Sequence, residues 1–225
     1  MLVSIVIPVY NEKNTILNLL QRVKNSEIGN FSKEIIVVDD GSTDGTRKIL
    51  KDLDEQNIKV FYHPINIGKG NALRTGFSKA GGEIIIVQDA DLEYDPAEYM
   101  KLLSPIEHGA SSVVYGSRYI SSETRKNIPF GTWFLTKVTN ILYNSSLTDE
   151  PTCYKVFRKS ILEDLDLQCE HFEFCPEFTA KVLKKGIKIF EVPISYKRRT
   201  KNEGKKLKWF KDGFEALYTL IRYRF

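Results

Sequence analysis

The chain has only three cysteines, Cys153, Cys169 and Cys175, and no CxxC pair. An odd number leaves at least one unpaired, so reduced thiols are expected, as in a cytoplasmic protein. His171 close to Cys169 makes a lone C-x-H, which falls short of the four ligands a structural zinc takes. Runs of about 18 apolar residues are missing, so no bilayer-spanning helix is expected. The apolar start is too short for a signal peptide and has no basic lead. Repeats, low-complexity tracts and Pro/Ser-rich linkers are also lacking. With 42% hydrophobic and 28% charged residues over 225 positions, one globular domain is expected. The net charge is only +4, and no nucleic-acid module or base-stacking platform accompanies it, so nucleic acid is not an expected partner. Asn144-Ser145-Ser146 matches a glycosylation sequon and reads as a chance tripeptide at a helix end.

What is present is most informative at Asp89-Ala90-Asp91, directly after the run Glu83 to Gln88, whose centre is Ile84-Ile85-Ile86-Val87. Such a run predicts a buried strand of a parallel sheet, and ligands in open α/β sheets collect at the carboxyl ends of those strands. Mg²⁺ or Mn²⁺ takes oxygen ligands from one or two carboxylates and completes its shell with substrate phosphates, so Asp89 and Asp91 fit a clamp for a nucleotide diphosphate. Glu93 offers a further oxygen. The same D-x-D also fits a solvated acidic loop.

The pattern before it repeats this arrangement. Leu2 to Val9 is an apolar strand, followed by a polar turn and a helical stretch from Thr15 to Lys24. A second strand, Glu34 to Val38, runs into Asp39-Asp40-Gly41-Ser42-Thr43-Asp44-Gly45-Thr46, where Asp39 or Asp40 also suits a helix cap. Lys59 to Tyr62 is a third strand, and Asn66-Ile67-Gly68-Lys69-Gly70 is a glycine-containing turn opening a helix. Strands alternating with helices predict βαβ units and a mainly parallel sheet, with acidic and glycine-rich turns on one edge.

Charge is concentrated late in the chain. From Lys197 to Lys211 eight cations, Arg198, Arg199, Lys201, Lys205, Lys206 and Lys208 among them, face the single acid Glu203. A helix follows from Asp212 to Phe225, with Phe214, Leu217, Tyr218 and Ile221 at helical spacing. That stripe fits packing on the sheet, and equally fits insertion at a lipid surface with the cations on anionic head groups.

The strings IPVYNE, VVDDGSTDGT, NIGKGNALRTGF and QDADLEYDP, in this order, resemble the nucleotide-binding half of GT-A-fold, family 2 glycosyltransferases. GSRY, DEPTCYKVFRKSIL, FEFCPEFTAKVLKKGIKIFEVPISYKRRT and EGKKLKWFKDG resemble the branch of dolichol-phosphate mannose synthases and related polyprenyl-phosphate sugar transferases. The resemblance implies a single Rossmann-like α/β GT-A domain, with residues 1–95 as the nucleotide-binding half and 96–225 as the acceptor half. It further implies donor contacts from Pro8, Tyr10, Glu12, Val37, Asp39, Asp89, Ala90 and Asp91, and an Mg²⁺ or Mn²⁺ held by Asp89, Asp91 and Glu93. Arg118, Arg199 and Lys206 match positions that hold phosphates, and Arg125 and Lys126 are further acceptor candidates or a solvated loop. Asp149 matches an acid facing the donor sugar, suited to orient hydroxyls, to act as a base or to cap a turn. Asp91, Arg118 and Asp149 form the expected catalytic set.

Two departures stand out. Cys175 occupies a position where the related string often carries an acid, while Glu173 and Glu177 remain. One extra residue in Trp209-Phe210-Lys211-Asp212-Gly213 is positioned to shift the start of the last helix. A lipid phosphate is already anionic and needs cations more than a base, so it tolerates the loss of that acid. The expected activity is therefore inverting, metal-dependent transfer of mannose or glucose from a GDP- or UDP-sugar to a dolichyl or undecaprenyl phosphate. The expected location is peripheral, on the cytoplasmic membrane face, with a membrane-anchored partner subunit as an optional companion. The rivals are a transferase acting on a glycan hydroxyl and a non-catalytic sugar-nucleotide-binding subunit.

Overall fold

The computed structural model describes residues 1–199 and 209–225. Its centre is a seven-stranded sheet in the order β3-β2-β1-β4-β6-β5-β7. The strands are β1 (Leu2–Val9), β2 (Ser32–Asp40), β3 (Ile58–His63), β4 (Ile84–Val87), β5 (Val113–Ser117), β6 (Lys155–Arg158) and β7 (Ile189–Pro193). All neighbours run parallel except β6, which is antiparallel to both β4 and β5. This strand breaks the simple βαβ alternation that the N-terminal half predicts. The central strands are continuous apolar runs because both faces are covered: Ile84, Ile85, Ile86 and Val87 are all fully buried.

One face carries α1 (Ile16–Asn25) and α4 (Tyr99–Glu107), whose Leu19, Val23, Leu102 and Ile106 join Ile5, Ile7 and Ile86 in one core. The opposite face carries α3 (Lys69–Lys79) and α7 (Phe174–Lys184), packing Phe77, Phe174 and Phe178 on Val6, Val38 and Phe157. The short helix α2 (Thr46–Lys51) follows β2, and α5 (Ser122–Arg125) follows β5. Helices α6 (Phe130–Tyr143) and α8 (Trp209–Arg224) form a third, smaller cluster with α7 around Tyr143, Ala180 and Leu220.

Helix α8 begins at Trp209, ahead of the expected Asp212. Its buried residues are Ala216 and Leu220, whereas Phe214 and Tyr218 of the predicted stripe stand 72% and 65% exposed. The stripe therefore does not pack on the sheet. Asn144 caps α6 in the left-handed region at φ 51°, so the sequon does fall at a helix end.

Candidate active site

Register brings the turns together. Val9 pairs with Asp39 and Val6 with Val87, so β1, β2 and β4 all release their chains at the same edge. There a cavity of about 820 Å³ opens, lined by Pro8, Tyr10, Glu12, Asp89, Ala90, Asp91, Glu93, Arg118 and Arg199.

The Asp89–Asp91 turn is tightly held. Gln88, fully buried, donates to the Asp89 carbonyl at 3.1 Å and accepts from the Tyr99 hydroxyl at 2.9 Å. Leu92 sits at φ 63°, a strained conformation for a side chain branched at Cγ, and the Glu93 N–H donating to Asp91 Oδ1 at 3.0 Å closes the turn around it. Asp89 Oδ1 lies 2.5 Å from Lys69 Nζ, and Asp91 Oδ2 lies 3.1 Å from Arg199 Nη2. Burial, with the charge of Asp89 next, pushes the Asp91 carboxyl up to about 7. Such surplus negative charge is what a divalent cation relieves, and two carboxylates suit Mg²⁺ or Mn²⁺ completed by substrate phosphates.

Glu93 does not join them. Its oxygens accept from the Tyr196 hydroxyl at 2.6 Å and the Arg199 N–H at 2.7 Å, and its carbonyl accepts from the Lys197 N–H at 2.9 Å. Among the described residues no group of three or more His, Cys, Asp or Glu side chains is arranged to hold a metal. In this arrangement Glu93 clamps residues 196–199 against the turn rather than reaching toward Asp89 and Asp91.

Other expected residues lie behind the cavity wall rather than in it. Asp39 is fully buried and spent on Arg47 Nε at 2.6 Å and the Ser42 N–H at 3.3 Å. Val37 is a core residue between β1 and β3. Asp40, by contrast, reaches the cavity edge and pins the 66–68 turn through Asn66 Nδ2 and the N–H groups of Ile67 and Gly68. Asp149 is fully buried, bound by a two-pronged contact from Arg118 and by the Arg118 N–H, so it positions the arginine and does not face the cavity. Lys206 lies outside the described residues, as do Lys201, Lys205 and Lys208.

Glu177, the acid a hydroxyl-directed reaction would want, is buried. It accepts from the N–H groups of Gln168 and Cys169 and from Lys181 Nζ, which outweigh burial and hold its carboxyl below the usual range. Glu173 is likewise spent on the N–H groups of Glu170 and His171. Cys175 lines the cavity.

Three contributors escaped sequence reasoning. Lys69, at the head of α3, balances Asp89; a cation in a glycine-flanked turn opening a helix was its only signal. Glu150 sits in the cavity wall fully buried, and neither carboxylate oxygen has a hydrogen-bond partner among the described residues. Nearby Thr179 donates its hydroxyl proton to the Cys175 carbonyl at 2.8 Å, leaving none for Glu150. Burial pushes Glu150 up to about 7. The third is apolar: Phe130, Phe134 and Leu135 of α6 and Phe214, Ala216 and Leu217 of α8 extend the same cavity away from the sheet edge.

A mainly parallel sheet with a D-x-D turn at the end of β4 defines a GT-A-type α/β fold. Residues 4–166 match the family model described as glycosyl transferase family 2, and the chain belongs to that family. It is 30% identical over 231 residues to a dolichol-phosphate mannosyltransferase of Pyrococcus furiosus, covering 99% of this chain and 64% of that one. The chain therefore spans less than two thirds of that relative. It is 32% identical over 216 residues to a UDP-N-acetylglucosamine–dolichyl-phosphate N-acetylglucosaminyltransferase of Methanococcus voltae, covering 86% and 84% of the two chains. Among solved structures, glucosyl-3-phosphoglycerate synthase from Mycobacterium tuberculosis, in complex with Mn²⁺, UDP and phosphoglyceric acid, aligns at TM-score 0.75 and 18% identity, covering 99% of this chain and 78% of that one. This last likeness is one of fold.

Proposed function

We propose that the protein is an inverting glycosyltransferase that moves a hexose from a GDP- or UDP-sugar to a polyprenyl phosphate at a membrane surface. The observation that carries this reading is one cavity with three chemistries: carboxylates at Asp89 and Asp91, cations at Lys69, Arg118, Arg198 and Arg199, and an apolar extension between α6 and α8. A nucleotide diphosphate suits the first, a phosphate the second and an isoprenoid chain the third.

Asp89 and Asp91 would hold Mg²⁺ or Mn²⁺. Such an ion supplies Lewis acidity that neutralises the departing diphosphate. Lys69, 15% exposed and fixed on Asp89, adds a second positive charge on that side. Arg118 presents a guanidinium oriented by Asp149 to the acceptor phosphate, whose oxygen is already anionic and attacks without a general base. The engagement of Glu173 and Glu177 in backbone contacts favours this acceptor over a sugar hydroxyl. The names of the Pyrococcus and Methanococcus relatives support a dolichyl-type acceptor, and they add N-acetylglucosamine to mannose and glucose as the sugars to compare.

The test is to offer the purified chain GDP- and UDP-sugars with a phosphorylated polyprenol and to identify products by mass spectrometry. A sugar-phosphate-polyprenol is expected. Transfer only to glycan hydroxyls, or nucleotide-sugar binding with no turnover on any acceptor, would overturn the assignment.

A further inference from the structure

We propose that His63, outside the cavity, is a positioning residue that sets the Lys69 ammonium on Asp89 by way of Asp40. His63 ends β3 and does not line the cavity, whereas Asp40, Gly68 and Lys69 do. Its Nδ1 lies 2.8 Å from Asp40 Oδ1, its Nε2 lies 3.0 Å from Thr75 Oγ1 of α3, and its carbonyl accepts from the Arg47 guanidinium. A carboxylate only accepts, so the bond to Asp40 needs the imidazole proton on Nδ1. Asp40 is 2% exposed and also accepts from Asn66 Nδ2 at 2.9 Å, the Ile67 N–H at 3.1 Å and the Gly68 N–H at 2.8 Å. Two carboxylate oxygens offer about four acceptor sites, so these donors fill them.

These bonds fix the chain on one side of Lys69. On the other side the N–H groups of Gly70 and Asn71 donate to the His171 and Glu170 carbonyls, each at 3.0 Å. Gly68 stands at φ 105°, and a Cβ there would collide with the Glu170 carbonyl, so this close approach requires glycine. Lys69, the first residue of α3, is thus held through its backbone between the end of β2 and the 170–171 segment. A lysine ammonium rides on a flexible four-carbon stem, so where it acts depends on where its backbone is anchored. Here Nζ reaches Asp89 Oδ1 at 2.5 Å and Cys153 Sγ at 3.1 Å. The Asp40 oxygen that binds His63 is the one that also holds the Ile67 N–H. Removing the imidazole leaves that buried oxygen short of a donor and loosens the turn two residues before Lys69. A displacement of about 1 Å at a catalytic group costs on the order of 10²-fold in rate.

The experiment compares the full chain with His63→Leu, which has no donor, and His63→Asn, which keeps an N–H close to the place of Nδ1. Each is treated with an acetylating ester, and labelled lysines are mapped by mass spectrometry. Lys69 should react about tenfold or more faster in His63→Leu than in the parent, the direction expected when an ammonium leaves a fixed ion pair, and His63→Asn should restore the slow rate. A measurement on the parent stands whether or not His63→Leu folds: ¹⁵N spectra should place the His63 proton on Nδ1. A proton on Nε2 alone, equal Lys69 labelling in folded His63→Leu and parent, or His63→Asn labelled as fast as His63→Leu would each overturn the proposal. In transfer assays kcat should fall about 10- to 100-fold in His63→Leu while KM for the nucleotide sugar stays within about threefold, a consequence that rests on the function proposed above. Unchanged kcat in a variant whose Lys69 is labelled freely overturns the catalytic value of the placement. Absence of transfer by the parent to any acceptor overturns the functional reading and leaves the labelling as a separate result.

Discussion

Arg118 grips Asp149 with two parallel contacts, Nε to Oδ2 and Nη2 to Oδ1, each 2.7 Å long. The carboxylate is fully buried and the arginine side chain 11% exposed. Removing one member of such a pair strands an uncompensated charge and costs about 3–5 kcal/mol, whereas an apolar pair of similar volume is nearly neutral. Arg118→Ala and Asp149→Ala should each lower stability by that order in urea unfolding. Arg118→Met with Asp149→Leu should recover most of it, yet transfer should be lost in all three. Activity retained in Asp149→Ala would mean that Arg118 needs no such support.

Asp91→Asn should abolish Mg²⁺- or Mn²⁺-dependent transfer by a factor of about 10² or more, the usual scale for losing preorganised charge stabilisation. Because burial and Asp89 already disfavour the Asp91 carboxylate, the variant should be at least as stable as the parent in chelator. Full turnover in the variant or in excess chelator would contradict the assignment.

Glu150 and Glu177 should give stability opposite pH dependences. Glu150 is raised to about 7 in the folded chain from an ordinary 4.5, so its contribution is greatest below the ordinary value and is lost as pH rises toward 7. Its loss is on the order of 3 kcal/mol at most. Glu177 is held low, so its contribution is present above the ordinary carboxyl value and disappears as pH falls. Relative to the parent, Glu150→Gln should gain stability between pH 5 and pH 8, within a window of about three units. Glu177→Gln should be destabilised at neutral pH and approach the parent in acid, with most transfer activity kept. Melting curves of the three proteins across pH decide it.

How much of this was legible in the sequence depends on whether a signal is local. The β1, β2 and β4 runs and the turns after them are local patterns, and the edge that gathers Tyr10, Asp40 and Asp89 follows from parallel pairing. The antiparallel β6 was not legible, because Lys155–Arg158 is short and its pairing with β4 and β5 is a long-range event. Nor does sequence distinguish Asp39 from Asp40: both end one strand, but alternation across the sheet sends one to Arg47 and the other to the 66–68 turn. Glu93 shows the same limit, since its spacing from Asp91 suits a metal while its partner Tyr196 is distant in sequence.

Gly76 shows what close packing requires. A Cβ there would lie 2.3 Å from Val6 Cγ1, a core atom of β1. Alanine gains about 1 kcal/mol of helix propensity over glycine, but overpacking costs about 1–3 kcal/mol. Gly76→Ala should therefore be destabilising despite its higher propensity. A raised unfolding midpoint would show that α3 shifts away from the sheet freely.

The last prediction concerns the membrane. Among the described residues no helix is long and apolar enough to cross one. Yet α6 exposes Phe130, Trp133, Phe134 and Ile141, and α8 exposes Phe214, Tyr218 and Ile221, with Phe130 and Phe214 at the mouth of the cavity. These two helices pack together, so their aromatic residues present apolar surface beside the proposed acceptor channel. Partial burial of such side chains among acyl chains contributes about 1.5–3 kcal/mol each at most. The basic run from Lys197 to Lys211 adds about 1 kcal/mol per cation near an anionic surface, weakened by salt. Binding to vesicles containing anionic lipid should thus exceed binding to neutral vesicles and fall with ionic strength. Lys205→Glu, Lys208→Glu and Lys211→Glu together should remove the salt-sensitive part. Phe130→Ser with Phe214→Ser should remove the part that persists at high salt, while sugar-nucleotide binding continues in both variants. Wild-type indifference to anionic vesicles at low salt would instead make the aromatic surface a seat for a membrane-anchored protein partner.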